Sequence, residues 1–221
     1  MSVERPFDLV LFDLDGTLID SAAQLALAVN RTLADLGLAE VDEAVVRTWV
    51  GNGADKLISR ALAYRDGDEL FERARPLFDR HYQACLLEGL AMYEGVERSL
   101  RRLQRLGYQQ AVVTNKPSHF VAPILDALGI GDCFALWLGG NCLPEKKPRP
   151  EPLLHACHEL GVKPSRTLMV GDSENDVLAA QAASMKVVGL TYGYNYGRPI
   201  ADSNPDWVCE RFCELDALLA E

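Results

Sequence analysis

This sequence predicts an α/β fold: a parallel sheet flanked by helices and interrupted after its first strand by an all-helical insert. Three observations carry that expectation. From about residue 90 onward, short apolar runs alternate with helical stretches, the pattern of a parallel sheet covered on both faces. Between Asp20 and about Leu87, no run reads as a core strand. Acidic or polar residues directly follow the strand candidates, at Asp13, Thr114 and Gly171-Asp172. Open parallel sheets present their ligand crevice there, beyond the carboxyl ends of the strands.

Taken in order, Leu9-Val10-Leu11 reads as a buried strand that leads into Phe12-Asp13-Leu14-Asp15-Gly16-Thr17. Asp20 or Ser21 then caps a helix whose Ala22, Leu25, Val29, Leu33 and Leu36 recur at helical spacing, and Gly37 stops it. A second helix is expected over Asp42 to Trp49, followed by the loop Gly51-Asn52-Gly53 and a third helix over Ala54 to Ala63. Asp66-Gly67-Asp68 marks a turn. A fourth helical run carries Leu70, Phe71, Ala74, Leu77, Phe78 and Tyr82, with Pro76 expected to kink or break it.

The pattern then changes. Helices are expected over Glu94 to Leu106, Phe120 to Leu128, Pro152 to Leu160 and Val177 to Ala183. Strands are expected at Ala111 to Val113, Phe134 to Leu138, Thr167 to Val170 and Val187 to Leu190. The economical division puts residues 1–17 and 90–221 in one α/β catalytic core, and residues 18–89 in a helical cap domain.

A net charge of −10 disfavours nucleic acid and anionic membrane surfaces as partners. No apolar stretch approaches the roughly 20 residues that span a bilayer. Met1-Ser2-Val3-Glu4-Arg5-Pro6 lacks the basic-then-apolar order of a signal peptide, so a cytoplasmic protein is expected. Six cysteines without a Cys-x-x-Cys pair read as reduced, mostly buried thiols. His155, Cys157 and His158 lie close together, but without a second ligand cluster they make an incomplete zinc site.

The residues that carry chemistry sit just past the strands. Asp13 and Asp15 stand two apart at the end of a core strand, where carboxylates are costly unless a cation or proton offsets them. Gly16 permits the sharp exit, although Asp15-Gly16 alone is also an ordinary strand-to-turn step. Thr114-Asn115 and Gly171-Asp172-Ser173, with Asp176 beyond, occupy equivalent places after two other strands. If those strands are neighbours, Asp13, Asp15, Asp172 and Asp176 converge into a set of oxygen ligands suited to Mg²⁺. Thr114 offers a hydroxyl to a phosphate oxygen. Lys146 and Lys147 offer the compact positive charge that an acidic protein otherwise lacks. Read singly, Thr114-Asn115-Lys116-Pro117 is a turn and helix start, Gly171 to Asp176 a capped loop, and Lys146-Lys147 a solvated pair.

Together, Asp13-Leu14-Asp15-Gly16-Thr17, Thr114-Asn115, Lys147 and Gly171-Asp172-Ser173-Glu174-Asn175-Asp176 resemble the four motifs of the haloacid dehalogenase superfamily. The helical insert resembles that superfamily's cap. Gly51-Asn52-Gly53-Ala54, Lys147 to Pro152 and Gly193-Tyr194-Asn195-Tyr196-Gly197 resemble the bacterial phosphoglycolate phosphatases within it. The resemblance implies a Rossmann-like core with helices on both faces and an inserted all-helical cap domain. It also implies a Mg²⁺-dependent phosphatase for a small phosphorylated substrate, 2-phosphoglycolate, working as a monomer or homodimer.

By the same resemblance, Asp13 is the nucleophile and Asp15 the general acid and base, with neighbouring carboxylates expected to tune it. Thr114, Asn115 and Lys147 hold phosphate. Asp13, Asp15 (through its carbonyl) and Asp172 ligate the metal, and Asp176 and Ser173 support it. In the cap, Asn52, Lys56 and Arg60 share a stripe if Ala54 to Ala63 is helical, and Asn52 and Lys56 are the candidates for recognising a second anionic group on the substrate. Rival readings keep the chemistry but change the substrate to another small organic or sugar phosphate, or return the phosphoryl group as a phosphoglucomutase does. A phospho-aspartate signalling receiver would share the acidic cluster, but the long helical insert after the first strand argues against it.

Overall fold

The protein is described by a computed structural model over residues 5–63 and 68–219. Met1 to Glu4 and the expected turn residues Asp66 and Gly67 lie outside those residues.

The first strand, β1 (Leu9–Phe12), is completely buried. It leads to β2 (Ile19–Asp20), and then to the helical insert: α1 (Ala22–Asp35), α2 (Glu43–Arg47), α3 (Ala54–Ala61) and α4 (Glu69–Cys85). The chain returns through β3 (Ala91–Met92), which pairs antiparallel with β2 as a two-stranded neck. The core resumes with α5 (Val96–Arg105), β4 (Gln109–Val113), α6 (Ser118–Ala127), β5 (Leu136–Leu138), α7 (Glu151–Glu159), β6 (Thr167–Gly171), α8 (Glu174–Ala182), β7 (Lys186–Leu190), β8 (Trp207–Cys209) and α9 (Leu215–Leu218).

The main sheet runs β5-β4-β1-β6-β7-β8, and every pairing in it is parallel. Strand residues alternate between two apolar clusters, as strand geometry requires. Val10, Phe12, Val112, Leu168, Val170, Val188 and Leu190 face one cluster, together with α5, α6 and the insert. Leu9, Leu11, Ala111, Val113, Met169 and Val187 face the other, together with α7 and α8. The helices therefore cover both faces of a sheet with β1 near its centre. Each fully buried aliphatic or aromatic side chain contributes about 1.5–3 kcal/mol of transfer free energy.

Several elements differ from expectation. α4 runs through Pro76 without breaking. The carbonyl that Pro76 leaves unpaired belongs to Glu72, an exposed residue, while Ala74, Phe78, Tyr82 and Cys85 stay buried along the inner face. α2 is shorter than Asp42 to Trp49; Asp42 caps it by accepting from Ala44 N. At α1, Ser21 is the N-cap residue but its side chain makes no cap bond. Asp20, the other expected cap, accepts from Ala22 N (3.4 Å), and the Tyr194 hydroxyl accepts from Ser21 N (2.9 Å) and Ala22 N (3.2 Å). β2, β3 and β8 are short, and their sequences carry too few residues to show a period. Among the described residues, no helix is long and apolar enough to cross a membrane.

Candidate active site

β1 lies between β4 and β6, with Phe12 in register with Val112 and Val170. That register sets the ends of the three strands side by side. Asp13 leaves β1 with its N–H bonded to Val170 O (3.0 Å), Thr114 leaves β4, and Asp172 leaves β6. Gly16 takes φ +88°, and a Cβ there would lie 2.2 Å from Asp172 Oδ2. The turn and the close approach therefore both require glycine.

Oxygens of Asp13, Asp172 and Asp176 all lie within 4.8 Å of one another, and all three residues are buried. Asp172 accepts from Thr17 Oγ1 (2.6 Å) and Tyr194 N (2.6 Å). Asp176 accepts from Ser173 N (3.1 Å) and Ser173 Oγ (2.8 Å), which closes a capping box at the start of α8. Lys147 Nζ donates to the other oxygen of Asp176 (2.6 Å) and stands 3.0 Å from Asp13 Oδ1, which makes no hydrogen bond of its own.

These charges act on one another. Burial, with the Asp176 charge behind it and Lys147 opposing, raises the Asp13 carboxyl to about 6. Burial, then Asp176 and Asp13, push Asp172 well above the usual carboxylate range. For Lys147, burial works against the charge, but Asp13 and Asp176 prevail and hold the ammonium more firmly than usual.

Asp15 faces away from this cluster. Its carboxylate accepts from Lys116 Nζ at both oxygens (2.7 and 2.9 Å) and from Ser21 Oγ (2.6 Å). The charge nearest to it is thus an ammonium, where a carboxylate neighbour was expected. Four carboxylates (Asp13, Asp15, Asp172, Asp176) meet two ammonium groups (Lys116, Lys147) in this buried region. The deficit of two positive charges and the all-oxygen donor set fit a divalent cation of the Mg²⁺ type. His155, Cys157 and His158 form no such gathering among the described residues: Cys157 is buried against Thr167 Oγ1 (3.3 Å), and His158 meets Glu159 on the surface (3.2 Å).

The insert closes over the strand ends. Gly51 O accepts from the side-chain nitrogens of Asn115 (2.9 Å) and Asn175 (3.0 Å), and Asn115 also donates to Lys147 O (2.8 Å). Asn175 donates to the Tyr196 hydroxyl as well (2.6 Å). The cap loop, the Lys147 loop and the Gly193 to Gly197 segment, far apart in sequence, therefore meet at one seam. Beneath the loop lies a cavity of ≈ 40 Å³, lined from the core by Asp13, Asp15, Thr114 and Lys116, and from the insert by Val50, Leu57, Phe78 and Tyr82 among others.

The stripe expected in the cap divides. Arg60 donates to Trp49 O (2.6 Å) and Asn52 Oδ1 (2.7 Å), and its guanidinium lies over Tyr196, so Arg60 and Asn52 brace the loop. Lys56 is exposed and is not among the residues lining the cavity. Lys116 and Tyr82, both buried at the site, were not read as site residues from sequence. Lys116 looked like part of a turn, and Tyr82 like one more apolar position of a helix. The available signal was a lysine two places after the Thr114 strand end in an acidic chain.

This arrangement of strand-end carboxylates, a buried lysine and a helical insert is that of a hydrolase family: the chain belongs to the haloacid dehalogenase-like hydrolases, whose profile matches residues 10–190. It is 48% identical over 214 residues to a phosphoglycolate phosphatase of Colwellia psychrerythraea, covering 94% of this chain and 95% of that one. It is 46% identical over 220 residues to one of Pasteurella multocida, covering 96% and 98%. The crystal structure of a predicted phosphoglycolate phosphatase from Haemophilus somnus 129pt superposes with a TM-score of 0.92 at 44% identity, covering 96% of this chain and 98% of that one.

Proposed function

We propose that this protein is a Mg²⁺-dependent phosphatase that hydrolyses 2-phosphoglycolate to glycolate and phosphate through an aspartyl-phosphate on Asp13. The observation that carries the reading is the gathering of Asp13, Asp172 and Asp176 around Lys147 at the ends of adjacent strands.

In the proposed reaction, an Asp13 carboxylate oxygen attacks phosphorus and the ester P–O bond breaks. Asp15 delivers its proton to the departing alkoxide. A water then attacks the acyl phosphate, with Asp15 taking that water's proton, and phosphate and free Asp13 result. Lys147, the Thr114 hydroxyl and the Asn115 backbone N–H hold the phosphoryl oxygens as charge shifts among them. Asp13, the Asp15 carbonyl and Asp172 would hold Mg²⁺, with Asp176 and Ser173 behind them; its charge offsets the repulsion between anionic nucleophile and anionic phosphate. Lys116 and Ser21 fix the Asp15 carboxylate in one orientation.

Two features support a small leaving group. The relatives share the phosphoglycolate phosphatase name over nearly their full lengths. The cavity, ≈ 40 Å³, offers room on the order of a few water molecules, which favours a small organic acid. A screen of phosphate release over small phosphate esters, with and without Mg²⁺, tests the reading. Metal-dependent release that favours 2-phosphoglycolate and is lost in Asp13→Asn is expected. Full turnover in Asp13→Asn overturns the mechanism, and a sugar phosphate at the head of the ranking overturns the substrate.

A further inference from the structure

The Asp15 side of the cavity has a chemistry of its own. Apolar side chains, among them Leu25, Val50, Leu57, Phe78 and Phe120, line it, and among the described lining residues Lys116 is the one cation. The Lys116 ammonium is buried, lies over the Tyr82 ring 4.8 Å from its centroid, and gives two hydrogen bonds to Asp15. An ammonium carries three donors, so one remains beyond Asp15.

Tyr82 reaches the same cavity from α4 of the insert. It is 1% exposed; its hydroxyl faces the Lys116 ammonium, and its own O–H has no acceptor among the described residues. Its ring is fixed by stacking on Phe78 (5.6 Å between centroids) and by an edge contact with Phe120 (4.8 Å). A buried hydroxyl left unpaired is costly, and most such groups in folded proteins find a partner. Here a core residue and an insert residue converge, each with donor capacity left over.

We propose that Lys116 and Tyr82 together form the subsite that takes the substrate's carboxylate, the ammonium pairing with one oxygen and the phenol donating to the other. The proposal rests on the phosphoglycolate reading and extends it to the residues that select the substrate. Its geometry comes from the chain of contacts. Asp15 serves the ester oxygen, and Lys116 is bonded to Asp15, so the ammonium stands one step further out. In 2-phosphoglycolate the carboxyl carbon is likewise two bonds beyond the ester oxygen. A carboxylate entering an apolar cavity needs charge-assisted donors to offset its lost hydration, and these two groups supply them. Since Tyr82 belongs to the insert, a bound carboxylate also bridges insert and core.

Two variants and two substrates test this, with 2-phosphoglycolate compared against ethyl phosphate, which lacks the carboxylate. In Tyr82→Phe, KM for 2-phosphoglycolate is expected to rise roughly tenfold while kcat/KM for ethyl phosphate stays within about twofold. The melting temperature should change little, because the lost phenol O–H had no acceptor and Lys116 keeps its bonds to Asp15. In Lys116→Met both substrates slow, since Asp15 loses its anchor, but the preference for 2-phosphoglycolate over ethyl phosphate should shrink roughly a hundredfold. If Lys116→Met fails to fold, Tyr82→Phe decides alone. An unchanged preference in Tyr82→Phe overturns the subsite, as does a preference that vanishes in Lys56→Ala instead. A wild-type enzyme that already treats the two esters alike overturns the phosphoglycolate reading itself, a result distinct from either.

Discussion

The two halves of the site are built differently. The Asp13, Asp172, Asp176 and Lys147 half comes wholly from the core: Asp13 and Asp172 follow strands whose register is fixed by buried β1, β4 and β6, Asp176 starts α8, and Lys147 lies in the loop before α7. The Asp15, Lys116 and Asn115 half meets the insert, through Tyr82, Gly51 and the loop braced by Arg60. The first half gathers like charges that a cation can offset, on a scaffold that cannot shift without breaking the sheet. The second joins parts that packing and a few hydrogen bonds hold together. In the proposed reaction the rigid half supplies the nucleophile and the metal ligands, and the half at the seam supplies Asp15 and the groups that select the substrate.

The largest expected effect lies in the rigid half. Asp13→Asn should lower kcat by about 10⁴-fold or more, as loss of a nucleophile does, measured as phosphate release. The same change should make the metal-free protein more stable at neutral pH, because it removes one of three crowded carboxylates. Turnover and stability moving down together would break the contrast.

The sign of a pH effect comes from the same crowding. The Asp13 carboxyl is raised to about 6 by burial and by Asp176, so the folded protein holds that proton more tightly than the unfolded chain does. The corresponding stability is complete below the ordinary aspartate value near 4 and is lost as pH rises through about 6. Urea midpoints of metal-free protein should therefore fall across that window by the equivalent of about 3 kcal/mol. The loss should be smaller in Asp13→Asn or with saturating Mg²⁺. A midpoint that climbs between pH 4 and 7 in the absence of metal would contradict the arrangement.

Effects at the seam should be smaller. Asn115→Ala removes the donors to Gly51 O and Lys147 O and should cost about 1–3 kcal/mol of stability. It should also raise KM more than it lowers kcat, read from steady-state kinetics and thermal melts. Arg60→Ala releases Trp49 O and Asn52 and should cost about 1 kcal/mol, with KM rising a few-fold. Lys56→Ala, at an exposed position, should stay within about 0.5 kcal/mol in stability. If Lys56→Ala perturbs KM more than Asn115→Ala does, the selecting surface is the exposed side of the cap helix and the contrast fails.

How far the sequence could be read depended on whether an element shows its chemistry locally. β1, β4, β6 and β7 were legible because continuous apolar runs carry their own signal. Thr114 and Asp172 were legible because they come directly after such runs, and Asp176 because it follows in the same short loop and helix start. β8 and the β2–β3 neck were not, since two or three residues have no period to detect. Pro76 misled because its cost depends on where the unpaired carbonyl points, and in α4 that carbonyl belongs to exposed Glu72. Lys56 and Arg60 do stand four apart within α3, with Asn52 in the loop before it, but spacing cannot say which side of α3 the loop will occupy.

By itself, the sequence determined the parallel sheet, the all-helical insert after the first strand, and the carboxylates and lysine at the strand ends. Those arise from hydrophobic period and residue type, which act over a few neighbouring positions. Tertiary structure alone decided that Asp15 pairs with Lys116, that Tyr194 takes the place of a serine cap on α1, and that Gly51, Asn115, Asn175 and Tyr82 meet at one seam. Those contacts join residues far apart along the chain, and their free energies depend on distance and burial, which no local pattern of residues encodes.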